Sequence, residues 1–376
     1  MFIMEKISFF LTVLILFSCS SGSDDSGDNG NETPVSFDRE AMLTNWAENI
    51  IVPAYSSFIN SLSGLEQSAI SFADTPSESS LQELRDSWLE AYKMWQHVSM
   101  FDIGKAEEVR LRDYLNIYPL NVNAVNENIV TGNYDLSLLS KIDEQGFPAL
   151  DYLLNGLGAT DTETLEFFTI DTNAANYRTY LTDVVDRMVA LSTEVLDDWN
   201  SGYTTTFVSN SGTTSGSSVN KLVNDYVKYF EKSLRSGKIG IPAGAFSGTS
   251  APEKVEAYYK EDISKELFFE AFNASKNFFE GKHFNSNQKG ESLKSYLDFL
   301  NTIKDGEDLS ALILNGFDFA EERADELSVD FANQVETDNP KMLATFDALQ
   351  EMVVLFKVDM MQAMNISVDF VDADGD

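Results

Sequence analysis

Residue types that commonly carry out chemistry are scarce in this chain of 376 residues, which contains one cysteine and two histidines. His97 follows Trp95-Gln96 at the end of a predicted helix, where a histidine often pairs with the negative end of the helix dipole. His283 lies in Gly281-Lys282-His283-Phe284, a pattern typical of a turn. Two histidines so far apart in sequence are weak grounds for a metal site. The sequence therefore leaves any metal ligands unknown and names no catalytic residue.

Carboxylates are plentiful but unspecific. Four of them fall on one side of a predicted helix over residues 307–328, namely Asp318, Glu321, Glu322 and Asp325. Such an oxygen-rich cluster is of the kind that Ca²⁺ or a ferric ion accepts. A run of charges on a helix is more commonly a solvated face, and we interpret it in that way.

A group of charged and aromatic residues lies between positions 107 and 119. It contains Arg110, Arg112, Asp113 and Tyr118, in a chain with 61 acidic and only 26 basic residues. Arginine forms paired hydrogen bonds with carboxylates, which is the simplest reason for two arginines here. The region belongs to a long stretch, 99–145, that is predicted to be irregular, and ordered loops on a helical scaffold often carry binding residues. These four residues are therefore candidate binding residues.

The N-terminus resembles the export signal of a bacterial lipoprotein. The apolar run over residues 7–17 is too short to span a bilayer core of about 30 Å and suits a signal peptide. Ser18 precedes Cys19, and Leu16 stands three positions upstream of the cysteine, as in a lipobox. We predict a signal peptide over 1–18, lipidation of Cys19 as a membrane anchor, and a flexible acidic tether over 19–36. The expected location is the outer membrane, facing either the periplasm or the cell surface. The alternative is an ordinary secretory signal with an accidental cysteine.

The charge balance restricts the partners. A net charge of −35 makes nucleic acid a poor partner, because phosphate binding depends on clustered Lys and Arg. Such a charge either attracts cations or keeps the protein soluble. We therefore expect no nucleic-acid partner.

Apolar residues recur at steps of three and four over long segments, and no segment alternates in the way that predicts a sheet. This periodicity predicts an all-α protein of bundled helices. We expect Thr75 to cap the helix that contains Trp88, and Asn339-Pro340 to begin the last long helix. Residues 37–168 and 169–376 are predicted to form an N-terminal and a C-terminal helical half. The apolar stripes are Leu81, Leu84, Trp88, Ala91, Trp95; Tyr177, Leu181, Val184, Met188, Leu191, Val195; and Met342, Phe346, Leu349, Val353, Phe356, Met360.

The segment 145–156, Gln-Gly-Phe-Pro-Ala-Leu-Asp-Tyr-Leu-Leu-Asn-Gly, resembles the signature of the imelysin-like family, the peptidase M75 group. That signature is Gly-x-His-x-x-Glu followed by a Tyr-Leu-Leu run. Residues 43–55 and 238–242 are similar to the same family. The resemblance implies an exported protein of two related helical-bundle halves, with a site near the motif that includes Gly146, Pro148, Asp151 and Tyr152.

The sequence departs from the signature at two positions. Pro148 stands where the family has histidine, and Asp151, one methylene shorter, stands where it has glutamate. A histidine three residues before a glutamate would place both groups on one helix face, as a metal or a proton-transfer pair requires. Proline supplies neither a ligand nor a base, although it suits the first turn of a helix.

Three functions remain open. The leading hypothesis is a membrane-anchored, non-enzymatic binding protein that is linked, through the resemblance, to iron or haem acquisition. In that case iron or haem is the expected ligand and zinc is not. The alternatives are a metallopeptidase of the M75 type, which the absent histidine contradicts, and a surface interaction module that binds a protein partner and no small ligand.

Overall fold

The computed structural model describes residues 36–370. The predicted signal peptide, Cys19 and nearly all of the predicted tether lie outside these residues. Residues 37–370 form one compact unit whose regular structure is almost entirely helical, which confirms the predicted fold class. In the described part of the chain, no helix has both the length and the apolar character that crossing a membrane requires.

Helices follow one another along the whole described chain. The α-helices are α1 (Arg39–Thr44), α2 (Val52–Asp74), α3 (Glu78–Gln96), α4 (Lys105–Glu108), α5 (Leu111–Leu115), α6 (Val122–Thr131), α7 (Gly146–Asp151), α8 (Asp161–Thr169), α9 (Ala174–Asp198), α10 (Thr204–Ser209), α11 (Ser218–Lys228), α12 (Ile241–Ala243), α13 (Ser264–Phe279), α14 (Leu293–Leu300), α15 (Leu309–Asp325), α16 (Phe331–Val354) and α17 (Met361–Ala363). Wider, π-helical turns cover Asn45–Ile51, Tyr152–Gly156, Trp199–Tyr203, Tyr229–Gly240 and Leu355–Met360, and 3₁₀ turns cover Leu139–Glu144 and Pro252–Lys254.

Two groups of long helices share one hydrophobic core. Helix α2 packs against α3 and α9, while α15 and α16 pack against each other and α16 also packs against Tyr229–Gly240. Helix α13 contacts both α3 and Tyr229–Gly240, so it links the two groups. All four tryptophans of the chain are buried, and the apolar stripes predicted from the sequence face the core, with Leu191 and Phe346 partly buried against it. Burial of these large side chains supplies most of the driving force for folding.

The predicted boundary near residue 168 falls inside α8, within a region where the core is continuous. The division into two related halves stays a prediction.

One predicted helix start is wrong by two residues, and the other falls at a break inside a longer helix. Ser77, and not Thr75, caps α3, because Ser77 and Ser80 exchange side-chain to backbone hydrogen bonds, whereas Thr75 ends α2. Helix α16 begins at Phe331, but its backbone is non-helical at Asp338, with φ of −151° and ψ of 60°. A second helical segment therefore starts at the predicted Asn339-Pro340, with the proline in its first turn.

The stretches predicted to be irregular contain short helices. Helices α4, α5 and α6 lie within 99–145. The stretch 201–217, whose Ser, Thr and Gly content also predicts a loop, contains α10. The prediction that no segment forms a sheet missed a small antiparallel hairpin, Ile303–Lys304 with Glu307–Asp308. Its turn residues Asp305 and Gly306 both have positive φ, and an Asp-Gly pair is a strong hairpin signal.

Candidate functional site

The motif segment forms the short helix α7, which starts at Gly146. This glycine has φ of +74°, and a Cβ atom built on it would lie 2.2 Å from the carbonyl oxygen of Leu115. Any other residue would therefore collide with the backbone of α5 as well as strain its own backbone. Gly146 is needed for the close approach of α7 to α5, and this approach brings the motif next to the Arg112 region.

Asp151 ends α7 and is 1% exposed. Its Oδ2 accepts a hydrogen bond from the backbone N–H of Tyr259 at 2.9 Å, and its Oδ1 accepts one from the Asn155 amide at 3.1 Å. Burial raises the pKa of this carboxyl group from 3.8 to about 7, although these hydrogen bonds favour the charged form. Asp151 can therefore gain or lose a proton near neutral pH.

Pro148 and Asp151 line a small cavity of about 210 Å³, which we call the motif cavity. Tyr152 lies beside it, with its hydroxyl donating to Asn126 Oδ1 at 3.1 Å and its ring 5.3 Å from that of Tyr259. Tyr152 therefore supports the wall that the motif cavity shares with Tyr259. The lining consists of Tyr118, Pro119, Leu120, Pro148, Asp151, Glu253, Val255, Ala257, Tyr258 and Tyr259.

Tyr118 and Pro119, which are joined by a cis peptide bond, also line a larger cavity of about 490 Å³, the central cavity. The two cavities thus lie side by side. Of the predicted site residues, Arg112, Asp113 and Tyr118 line the central cavity. Its full lining is Trp95, Gln96, Ser99, Asp102, Arg112, Asp113, Asn116, Ile117, Tyr118, Pro119, Lys228, Tyr229, Lys232, Ser233, Gly237, Lys238, Ile241, Lys254 and Glu256.

Arg112 is held on one side of the central cavity by several contacts. Its Nε donates to the carbonyl oxygen of Ser99 at 2.8 Å, and Nη2 lies 3.2 Å from Asp225 Oδ1. Its guanidinium also lies 3.6 Å from Asp102 and over the ring of Tyr229. Burial raises the pKa of Asp225 to about 6 in spite of Arg112, which favours the charged form. The predicted pairing of Arg112 with a carboxylate is confirmed.

Arg110 does not line either cavity. It has a left-handed backbone conformation before α5 and a half-exposed side chain that pairs with Asp113 Oδ2 at 2.6 Å. An ion pair this exposed contributes little to stability. Arg110 therefore orients Asp113 at the rim.

A buried polar network lies at the bottom of the central cavity. It was not predicted from the sequence. The ammonium group of Lys238 contacts Glu256 and donates to Gln96 Oε1 at 2.9 Å, and the Asn116 amide donates to Glu256 Oε1 at 2.7 Å. The Tyr92 hydroxyl donates to Asn116 at 2.7 Å. Burial lowers the pKa of Lys238, while Glu256 opposes this effect. The only sequence signal was the family-like segment 238–242, which by itself assigned no partner to Lys238.

Two of the four carboxylates on α15 are engaged in ion pairs, because Lys276 lies 2.6 Å from Asp318 and 3.3 Å from Glu321. Over residues 36–370, no three His, Cys, Asp or Glu side chains are grouped so that they could hold a metal ion. His97 and His283, in contrast, line one common cavity although they are far apart in sequence.

The fold and the site define a helical protein in which the motif helix lines the smaller of two neighbouring cavities, and several basic side chains line the larger one. The chain belongs to the imelysin family, peptidase M75, whose model matches residues 51–355.

Two solved structures share the fold. One is a protein from Parabacteroides distasonis named as an iron-regulated protein A precursor, with 17% identity, a TM-score of 0.72, and 89% of this chain and 97% of that chain covered. The other is an imelysin-like protein from Psychrobacter arcticum, with 16% identity, a TM-score of 0.66, and coverage of 88% and 97%. None of the curated proteins compared with the chain matches it significantly.

Proposed function

We propose that this imelysin-family protein is a membrane-anchored lipoprotein that binds an anionic ligand in the central cavity without catalysing a reaction. The observation that carries the proposal is the charge of the lining. Five basic side chains line the cavity, namely Arg112, Lys228, Lys232, Lys238 and Lys254, against three acidic ones, Asp102, Asp113 and Glu256.

This ratio is the reverse of that in the whole chain, which has 61 acidic and 26 basic residues. Low-dielectric walls concentrate the field of such charges within a cleft. The cavity therefore attracts an anion in spite of the strongly negative surface around it.

The proposed ligand is iron in an anionic form. The Parabacteroides protein with the same fold is named as iron-regulated, which supports a link to iron. A bare ferric ion would be repelled by the basic lining, whereas a ferric complex of carboxylates, or haem with its two propionates, would be attracted. The volume of about 490 Å³ lies within the usual range of small-molecule sites.

Calorimetric titration of the full chain in detergent tests this proposal. We expect saturable binding of ferric citrate or haem, and none of Zn²⁺ or uncomplexed Fe³⁺. Lys228→Met combined with Lys254→Met should weaken binding at least tenfold, since two favourable charge contacts are lost. The matched control is Lys221→Met combined with Lys260→Met, which removes the same charge outside the cavity. Equal weakening by both pairs would contradict a site in the central cavity.

The second candidate function is proteolysis, because the family is named as a peptidase and Asp151 has a pKa near neutrality. Pro148 occupies the position of the signature histidine, so we propose that this activity is absent. Chelator-sensitive proteolysis by the unmodified protein, abolished by Asp151→Ala, would overturn that view. Pro148→His with Asp151→Glu should recreate the signature pair, and activity would follow if the remaining ligands are present.

Failure of every small ligand to bind would favour the third hypothesis, a surface interaction module. Capture of a partner protein by the full chain, unaffected by the Lys228 and Lys254 substitutions, would then be the expected result.

A further inference from the structure

Both histidines of the chain line a cavity of about 380 Å³ that is distinct from the two described above, and we call it the histidine cavity. It lies between the end of α3, helix α13 and the turn over residues 282–287. Its lining is Ile50, Ala54, His97, Met100, Phe101, Ala274, Asn277, Phe278, Lys282, His283, Phe284, Asn285, Ser286 and Asn287.

The segment 96–102 separates this cavity from the central cavity. Gln96, Ser99 and Asp102 line the central cavity, whereas His97, Met100 and Phe101 line the histidine cavity. The two spaces therefore lie on opposite sides of one turn of chain and share no lining residue.

The histidine cavity combines an apolar part with nitrogen donors. Its apolar lining includes Ile50, Met100, Phe101 and Phe278, and the polar part consists of the two histidines, Lys282, one serine and three asparagines. Among the described residues, no aspartate or glutamate lines it, although the chain contains 61 of them. Such a lining suits a ligand with an apolar body and an anionic head group.

The basic groups are differently engaged. His97 Nε2 lies 2.9 Å from Glu270 Oε2, and this hydrogen bond holds the imidazole with its edge toward the ring of Phe284. The side-chain ammonium of Lys282 has no ion-pair or hydrogen-bond partner within residues 36–370. The Lys282 ammonium is therefore available to a ligand, whereas His97 is already hydrogen-bonded to Glu270.

The turn that carries Lys282 and His283 is tied to its surroundings through the backbone. The N–H of Phe284 donates to the carbonyl oxygen of Asn49 at 2.8 Å, and that of Lys282 donates to Asn277 at 2.9 Å. These bonds fix the turn against Asn45–Ile51 and α13, so the site is formed before any ligand arrives, which lowers the entropic cost of binding.

We propose that the histidine cavity binds a small aromatic or branched carboxylate, with the carboxylate at Lys282 and His283 and the apolar body on the Phe101 and Phe278 side. A metal ion is the weaker occupant, because the ammonium of Lys282 would repel it. This site is independent of the ligand proposed for the central cavity.

The two histidines provide a direct readout. The full chain, labelled with ¹⁵N-histidine and held in detergent, should give two sets of imidazole signals, both from this cavity. Benzoate should shift both sets in a saturable manner. Benzamidine, which has the same ring and a positive head group, should shift neither.

Lys282→Met should weaken benzoate binding about tenfold through loss of a charge-assisted hydrogen bond. Lys289→Met is the matched control, since Lys289 pairs with Lys282 through the backbone but directs its ammonium to Glu280 at 2.7 Å, outside the cavity. Any of three results would overturn the proposal. They are benzoate binding that Lys282→Met leaves unchanged, imidazole signal shifts of equal size with benzamidine, and imidazole signal shifts that only Zn²⁺ causes.

Discussion

The buried carboxyl group of Asp151 should make the protein less stable as the pH rises. Its pKa is raised from 3.8 to about 7 by burial, and a group whose pKa is higher in the folded than in the unfolded chain stabilises the fold while it is protonated. This contribution is fully present below pH 3.8 and is lost as the pH rises through about 7. Between about pH 5 and about pH 8, the loss amounts to about 3 kcal/mol.

Asp151→Asn removes this titration. The asparagine oxygen can replace only one of the two acceptors that face Tyr259 N–H and the Asn155 amide, so the variant has a constant cost of about 1–3 kcal/mol. The quantity to follow is the difference in the free energy of unfolding, variant minus unmodified protein. Because only the unmodified protein loses stability through this group, the difference should rise by about 3 kcal/mol from about pH 5 to about pH 8. Asp225, whose pKa is also raised, is present in both proteins and cancels.

Urea unfolding, followed by tryptophan fluorescence at closely spaced pH values, measures this difference. All four tryptophans are buried, so the signal reports loss of the core. A difference that stays constant across the pH range would refute the argument that burial dominates the environment of Asp151. A difference that falls as the pH rises through 3.8, the unfolded-chain pKa, would show that the hydrogen bonds outweigh burial.

Three further changes have expected outcomes. Arg112→Met should lower the free energy of unfolding by about 3–5 kcal/mol at neutral pH, because Asp225 loses its buried partner; thermal unfolding checks this, and an unchanged midpoint would contradict it. Gly146→Ala should cost at least about 2 kcal/mol or prevent folding, since its Cβ would meet the carbonyl of Leu115; a fully stable variant would show that the contact is not needed. Cys19→Ala should release the protein from membranes or block its maturation; membrane retention in a detergent-partition assay would count against lipidation.

Much of the fold could be predicted from the sequence, because apolar periodicity depends only on the geometry of a single helix. The stripes through Trp88, Val184 and Val353 needed no knowledge of their partners. Errors occurred where local signals compete. Thr75 and Ser77 are both capable caps, and only the reciprocal bonds of Ser77 with Ser80 decide between them. Pro340 is tolerated inside α16 because the backbone already departs from helical geometry at Asp338.

The sequence by itself also determined which residues of the motif depart from the family pattern and where two arginines stand in an acidic chain. Only the tertiary structure decided which of these residues meet. Close approach of Gly146 to Leu115 places Pro148 and Asp151 beside Tyr118. Lys238 bonds to Gln96, which is 142 residues away in sequence, and one cavity brings together the still more distant segments of His97 and His283. The physical reason is that helix periodicity specifies which face of a helix is buried, whereas the partner of that face is selected by packing among all helices at once.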